Sequence, residues 1–273
     1  MRFSNILMAA ATQGGGAGYD PIVLAWNAAV IAAGGSVSGA RLRIWSTMWA
    51  GIRADGDLAL IDYALPLCGE DSQSSLIDFI GLRTATAVNS PTFTASQGYA
   101  GNGTTSYVNS GFNPSTMGTA YTLNSSFLMI YDRTARTDNA AVNNFGSVNA
   151  GATSATVLFP RYLTLSGAAI NEISGLATAT SPANAKARWW GSRTTSTLTT
   201  LYQNTTSFVS SNSTTTVSIP SLNLFIGGRN NNGSLALATT DQHAFAMAGG
   251  GLSSAQQGRL DGRVATAMAA IGA

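Results

Sequence analysis

The 273-residue chain is 45% hydrophobic and only 10% charged, with a formal net charge of +2, against roughly 25% charged residues in an average globular domain. That apolar content fills one large domain with an appendage and excludes a disordered chain, and the basic residues, scattered singly from Arg2 to Arg263, form no stripe that neutralises a run of phosphates, which argues against nucleic acid as a partner. One cysteine, Cys68, and one histidine, His243, exclude an intrachain disulfide framework, a multi-cysteine zinc cluster and any intrachain site that needs two histidines, and no apolar run approaches the ~20 residues of a membrane span.

Ser, Thr, Asn and Gly carry the polar quota, a composition that suits extracellular exposure, sugar contacts or packing into an assembly. Residues 1–19 begin with a short apolar stretch and end in Gly14-Gly15-Gly16-Ala17-Gly18. The stretch barely reaches the minimum length of a secretory h-region, so it reads as an attachment arm on a flexible linker.

Residues 20–74 form a helical hairpin region. Asp20-Pro21 supplies an N-cap and a first-position proline, and Ile22, Trp26, Ala29 and Ala33 recur at helical spacing before Gly34-Gly35. Ser38 caps a second helix whose apolar face is Leu42, Trp45, Trp49 and Ile52, closed by Asp55-Gly56. The tryptophans are expected to pack between these helices and a neighbouring sheet. Leu58 to Leu65 reads as a third short helix ended by Pro66.

From residue 75 to 250 the period changes. Leu76 to Ile80 reads as a strand, and Gly, Asn, Ser and Thr punctuation then recurs every 8–12 residues, the spacing of a sandwich or barrel. Candidate strands are Thr105–Asn109, Thr122–Tyr131, Thr156–Leu165, Ala187–Gly191, Thr197–Gln203, Ser207–Ser210, Leu222–Gly227 and His243–Ala248, with Asn102-Gly103 and Asn232-Gly233 as tight turns. Two packed antiparallel sheets are the economical architecture. Residues 251–273 are a C-terminal helix, with Ser253 and Gln256 as a capping box and Leu260, Val264, Met268 and Ile271 on the face that packs on the body.

Several segments read together as a family. Gly14–Gly18 with Tyr19-Asp20, the helix ending at Ala54-Asp55-Gly56, Asn89-Ser90-Pro91-Thr92-Phe93, the run Gly98 to Val108, Phe112-Asn113-Pro114, Phe225-Ile226-Gly227-Gly228-Arg229-Asn230 and Gly249-Gly250-Gly251-Leu252-Ser253 resemble, in that order, phage and prophage virion proteins with a laminin-G-like domain. The motifs are turns and strands rather than chemistry, and their order along nearly the whole chain carries the resemblance. It implies a mainly β fold, a concanavalin-type jelly-roll sandwich, on the virion exterior as a tail or fibre component or a capsid decoration (head-fibre) protein. It also implies docking through the arm, with Arg2, Phe3, Ile6, Leu7 and Met8 as the anchoring residues, and capsid or tail proteins and further copies of the chain as partners. It carries no catalytic motif onto any residue here.

Glycan hydrolysis needs two carboxylates flanking the bond. Within residues 89–273 the carboxylates are Asp132, Asp138, Glu172, Asp241 and Asp261, and Asp132 and Asp241 read as surface turns, so no enzyme, cofactor or metal site is expected. A host-surface glycan is the alternative ligand. Trp189-Trp190 with Arg188 and Arg193 offers one aromatic platform and Tyr202-Gln203-Asn204 another, with at most one of the adjacent tryptophans outside the core.

Overall fold

The computed structural model describes residues 18–273. Asp20 Oδ1 accepts from the Ile22 N–H at 2.9 Å and starts helix Pro21–Ala32. Ser38 Oγ accepts from the Arg41 N–H at 3.2 Å and starts helix Gly39–Ala54, which stops where Gly56 takes φ +78°. Each cap satisfies one of the orphan donors at a helix start.

The chain then departs from the helical expectation. Leu58–Leu60 is a single 3-10 turn, and Ile61–Leu65 is a strand paired antiparallel with Gln242–Gly249. All five of its residues are buried, so the segment has no polar face for an amphipathic helix and its backbone is satisfied by a sheet. Residues on both sides of position 74 therefore share one sheet. The expected strand Leu76–Ile80 is also corrected: a 3-10 turn spans Ser74–Leu76, and the Asp78 carboxylate accepts from the N–H groups of Ile80 and Gly81 at 2.8 and 3.1 Å. That local side-chain competition replaces the ladder with a turn.

Two sheets follow. The first runs Thr206–Ser211, Thr199–Gln203, Ala187–Arg193, Ser126–Asp132, Gln242–Gly249, Gly98–Ala100 and Thr92–Thr94, with Ile61–Leu65 added beside Gln242–Gly249. The second runs Ala177–Thr180, Leu165–Glu172, Ala155–Tyr162, Phe145–Val148, Phe225–Ile226, Tyr107–Asn109 and Thr86–Val88. Hairpin Arg229–Asn231/Ser234–Ala236 joins it through a parallel pairing with Phe145–Val148, the other pairings being antiparallel. At its tip Asn232 and Gly233 have φ of +51° and +96°, as a primed two-residue turn requires. Thr156–Leu165, read as one strand, is the hairpin of two strands that turns between Tyr162 and Leu165. The sandwich of two sheets is the fold expected from the turn spacing.

One core lies between the sheets and contains Phe145, Leu158, Trp189 and Ile226. The other lies between the first sheet and the helices. There Phe79 sits 4.5, 5.2 and 5.3 Å from the rings of Trp26, Trp45 and Trp49, and the three tryptophans are at most 1% exposed, so they pack as expected. Burying side chains of this size contributes on the order of 2–3 kcal/mol each. Helix Ser254–Ile271 closes this layer. It starts with the expected capping box of Ser253 and Gln256 and buries Leu260, Val264 and Met268.

Arginine forks tie the layers together. All eight ion pairs among the described residues use arginine, and four link elements of the helical layer to each other or to the sheet: Arg53–Asp20, Arg259–Asp57, Arg263–Asp55 and Arg188–Asp261. All four put both carboxylate oxygens against one guanidinium, a geometry lysine does not provide.

Candidate recognition surface

The aromatic platforms anticipated around residues 188–204 are not on the surface. Strand Ala187–Arg193 turns Trp189 into the space between the sheets and Trp190 toward the helices, and both are 0% exposed. Trp189 Nε1 donates to the Ala185 carbonyl at 2.7 Å and Trp190 Nε1 to Asp261 Oδ1 at 2.9 Å. Arg188 forks onto the same Asp261 at 2.8 and 2.9 Å. Tyr202, itself buried, bonds Ser254 Oγ at 3.0 Å, and the Asn204 carbonyl accepts from Gln257 Nε2 at 2.8 Å. Apart from Trp189, these groups form the seam that locks the C-terminal helix onto the first sheet. Arg193 is fully buried, ion-paired with Glu172 and donating to the Ile170 carbonyl at 2.6 Å. Burial pushes Glu172 up to about 7 in spite of that guanidinium. The anchoring residues Arg2, Phe3, Ile6, Leu7 and Met8 lie outside the described residues.

Asp132 and Asp241 are also corrected, from surface turns to the interior. They are 0% and 1% exposed, and Asn144 Nδ2 donates to both, at 2.9 Å each. Arg136 Nε bonds the Asp241 carboxylate at 3.0 and 3.1 Å. Burial, and then the Asp241 charge, hold Asp132 well above the usual carboxylate range. His243, 1% exposed, has no hydrogen-bond partner at either ring nitrogen, and burial pushes its pKa down to about 4. Two carboxylates bridged by one amide in an enclosed interior leave no space for a glycosidic bond between them. Among the described residues no group of three or more His, Cys, Asp or Glu side chains is arranged to hold a metal ion, and no helix is long and apolar enough to cross a membrane.

The second sheet offers a different surface. Directly paired residues share a face, and one row runs Thr86, Asn109, Phe225, Gly146, Val157, Ala169 across six strands. It is opposite to the core row of Val108, Ile226 and Phe145. No helical residue belongs to the small apolar cluster on this outer face, which comprises Val148, Val157, Phe159 and Ala169 with Ala155, Tyr162 and Leu176 against them.

Aromatic rings lie at both ends of that cluster. Tyr107 packs on Phe225 at 4.3 Å and Tyr162 on Phe159 at 5.9 Å, the two tyrosines being half-buried. Gly167 makes room for this layer, because a Cβ there would stand 2.4 Å from the Phe159 ring. Arg229 is half-buried as well, its guanidinium loses basicity through burial, and its Nε has no hydrogen-bond partner. Asn223 Nδ2 donates to Asn109 Oδ1 at 3.2 Å. Partly exposed rings beside amides and a guanidinium outside the ion pairs can stack on apolar sugar faces and bond hydroxyls. Sequence reasoning did not single out these residues, since strand Ala155–Tyr162 is largely apolar and buried on both faces from Thr156 to Pro160, and alternation gives no sign of which end carries partly exposed rings.

No protein-family model matches the chain, and no curated protein matches it. Solved structures share the fold. Trypanosoma rangeli sialidase with 2,3-difluorosialic acid aligns over 80% of this chain and 37% of its own length, with 11% identity and a TM-score of 0.51. The same enzyme with sialic acid aligns over 80% and 37%, with 9% identity and a TM-score of 0.50. Domain 4 of a Geobacillus stearothermophilus extracellular arabinanase, solved with arabinotriose, aligns over 74% and 98%, with 12% identity and a TM-score of 0.45. The chain thus spans well under half the length of the sialidases it matches.

Proposed function

We propose that the protein is a non-enzymatic recognition module on the exterior of a bacteriophage particle, binding glycan through the outer face of its second sheet. One observation carries the glycan reading: half-buried Tyr107 and Tyr162 share that face with half-buried Arg229, whose guanidinium takes part in none of the ion pairs among the described residues. Rings of this kind give stacking area at low entropic cost, and a guanidinium without an internal partner gains most from a ligand hydroxyl. The non-enzymatic reading is supported by the carboxylates, since Glu172 pairs with Arg193, Asp241 with Arg136 and Asp261 with Arg188, all in the interior.

The particle setting rests on the order of turn and helix motifs along the chain and on its low charge. It is tested by mass spectrometry and antibody labelling of intact particles, where absence of the chain would overturn it. For glycan binding, a glycan array is probed with the full chain and with Tyr107→Ala, Tyr162→Ala and Arg229→Ala. Sialosides and arabinans belong on it, because structures sharing the fold were solved with such sugars. Binding by the full chain that falls at least about tenfold in each variant, as losing roughly 1.4 kcal/mol does, is expected. No binding to any glycan, or equal binding by the variants, overturns the reading.

A further inference from the structure

A recess lies away from the recognition face, on the helical side. It has a volume of about 600 Å³ and is bounded by Pro21 and Ile22 of the first helix, Leu58 of the 3-10 turn, Ile80 and Leu82 of the following turn, and Met117. Met117 is 40% exposed there. Three charged side chains reach the rim, and each already has a partner: Arg53 bonds Asp20 at 3.1 Å, Arg83 bonds Asp78 at 2.9 Å, and the Asp62 carboxylate takes the N–H groups of Ala120 and Tyr121 at 3.0 and 2.7 Å. Both guanidiniums are ion-paired, so no free cation is left to recognise an anionic ligand, and the one carboxylate is buried against backbone amides. What the recess offers a ligand is apolar area, which favours an apolar, uncharged occupant.

The chain carries such an occupant close by. Phe3, Ile6, Leu7 and Met8 precede Gly14–Gly18, and that linker ends three residues before Pro21, which lines the recess. The ten residue-to-residue steps from Met8 to Gly18 span up to roughly 35 Å when extended. Tethering at such a distance gives an effective concentration in the millimolar range for short flexible linkers. Phe3, Ile6 and Leu7 also stand at i, i+3, i+4, the spacing that presents one apolar face when a segment docks as a helix.

We propose that this groove is the receptor for the protein's own N-terminal segment, with Phe3, Ile6, Leu7 and Met8 as the side chains it receives. Attachment through the arm then becomes a competition, in which a partner must draw the segment out of the groove before binding it.

Paired cysteines in the full chain test this. Met117→Cys is combined in turn with Phe3→Cys, Ile6→Cys, Leu7→Cys and Met8→Cys and treated with a short flexible bis-maleimide. Cys68 does not compete, being fully buried, with burial pushing its thiol up to about 12. Efficient crosslinking within one chain is the expected result. Crosslinks between two chains would show that a second copy fills the groove, and no crosslink in any pair would show that the groove stays free of the arm; each overturns the proposal. Hydrogen exchange gives an independent reading on a variant that leaves the body untouched. Leu7→Asp should speed exchange of the amides at residues 80–83 by roughly fivefold or more, as loss of about 1 kcal/mol of local protection does. Unchanged exchange overturns the proposal as well.

Discussion

The two sheets have the same architecture and opposite surroundings. The central strands of the first are buried on both faces, by the second sheet inside and by three helices outside, so even their polar residues act within the fold: Arg193 holds Glu172, and Trp190 and Arg188 hold Asp261. The second is buried on its inner face, and its outer face is packed by its own side chains with no helix over them. A strand covered by helices on one face and a sheet on the other turns every large residue into core, whereas the outer face of the second sheet, where Val148, Val157, Phe159, Ala169 and Phe225 are at most 6% exposed, leaves Tyr107 and Tyr162 half-buried beside them. The candidate surface therefore follows from what lies over each sheet more than from what its strands contain.

The largest expected effect breaks the first region from inside. Arg193→Met removes a buried cation and leaves Glu172, also fully buried, without its guanidinium. A loss of about 3–5 kcal/mol in urea unfolding is expected, because an unpaired buried charge keeps its desolvation cost. Adding Glu172→Leu should recover most of that loss by removing the second charge. A double variant no more stable than Arg193→Met alone would show that the pair matters for something other than charge balance.

This contrast also explains what was legible in the chain. Helix caps at Asp20, Ser38 and Ser253, the tryptophans of the helical layer and the Asn232-Gly233 turn were all readable, because each depends on neighbours within a few residues. Trp189 and Trp190 were misplaced because alternation assigns them to opposite faces without saying what covers each face. Asp132 ends one strand, Asp241 immediately precedes another, and Asn144 donates to both, so their burial was invisible to local pattern. Ile61–Leu65 reads as helix by spacing and becomes a strand because Gln242–Gly249, far along the chain, offers it a ladder.

A smaller effect separates two buried groups of opposite sign. His243 has its pKa depressed to about 4 by burial, against about 6.5 in an unfolded chain. Its contribution to stability is present above about pH 6.5 and is lost as the pH falls toward 4. Glu172, raised to about 7, and Asp132, raised by burial, act oppositely: their contributions are present in acid and are lost as the pH rises through their folded values. The total pH dependence is therefore a partial cancellation, and His243→Leu isolates one side. Between pH 7 and pH 4 the stability of the parent protein relative to His243→Leu should fall by on the order of 2–3 kcal/mol, measured as urea midpoints at several pH values. A constant difference across that range would show that His243 is not held neutral in the fold.

The smallest effect, that of Tyr107→Ala, sharpens the comparison most, because it is set against the same type of substitution at a buried ring of the first sheet. Trp190→Ala empties a fully buried site and strands the Asp261 carboxylate on one side, so a loss of about 3–5 kcal/mol is expected. Tyr107→Ala removes a half-buried ring that packs on Phe225 at 4.3 Å, and because part of the ring is already in water the loss should be smaller, about 1–2 kcal/mol. Folded Tyr107→Ala protein is thus available for binding measurements, in which stability and recognition are read separately. If Tyr107→Ala proves as destabilising as Trp190→Ala, the outer face of the second sheet is a third core, and the glycan reading loses the surface on which it rests.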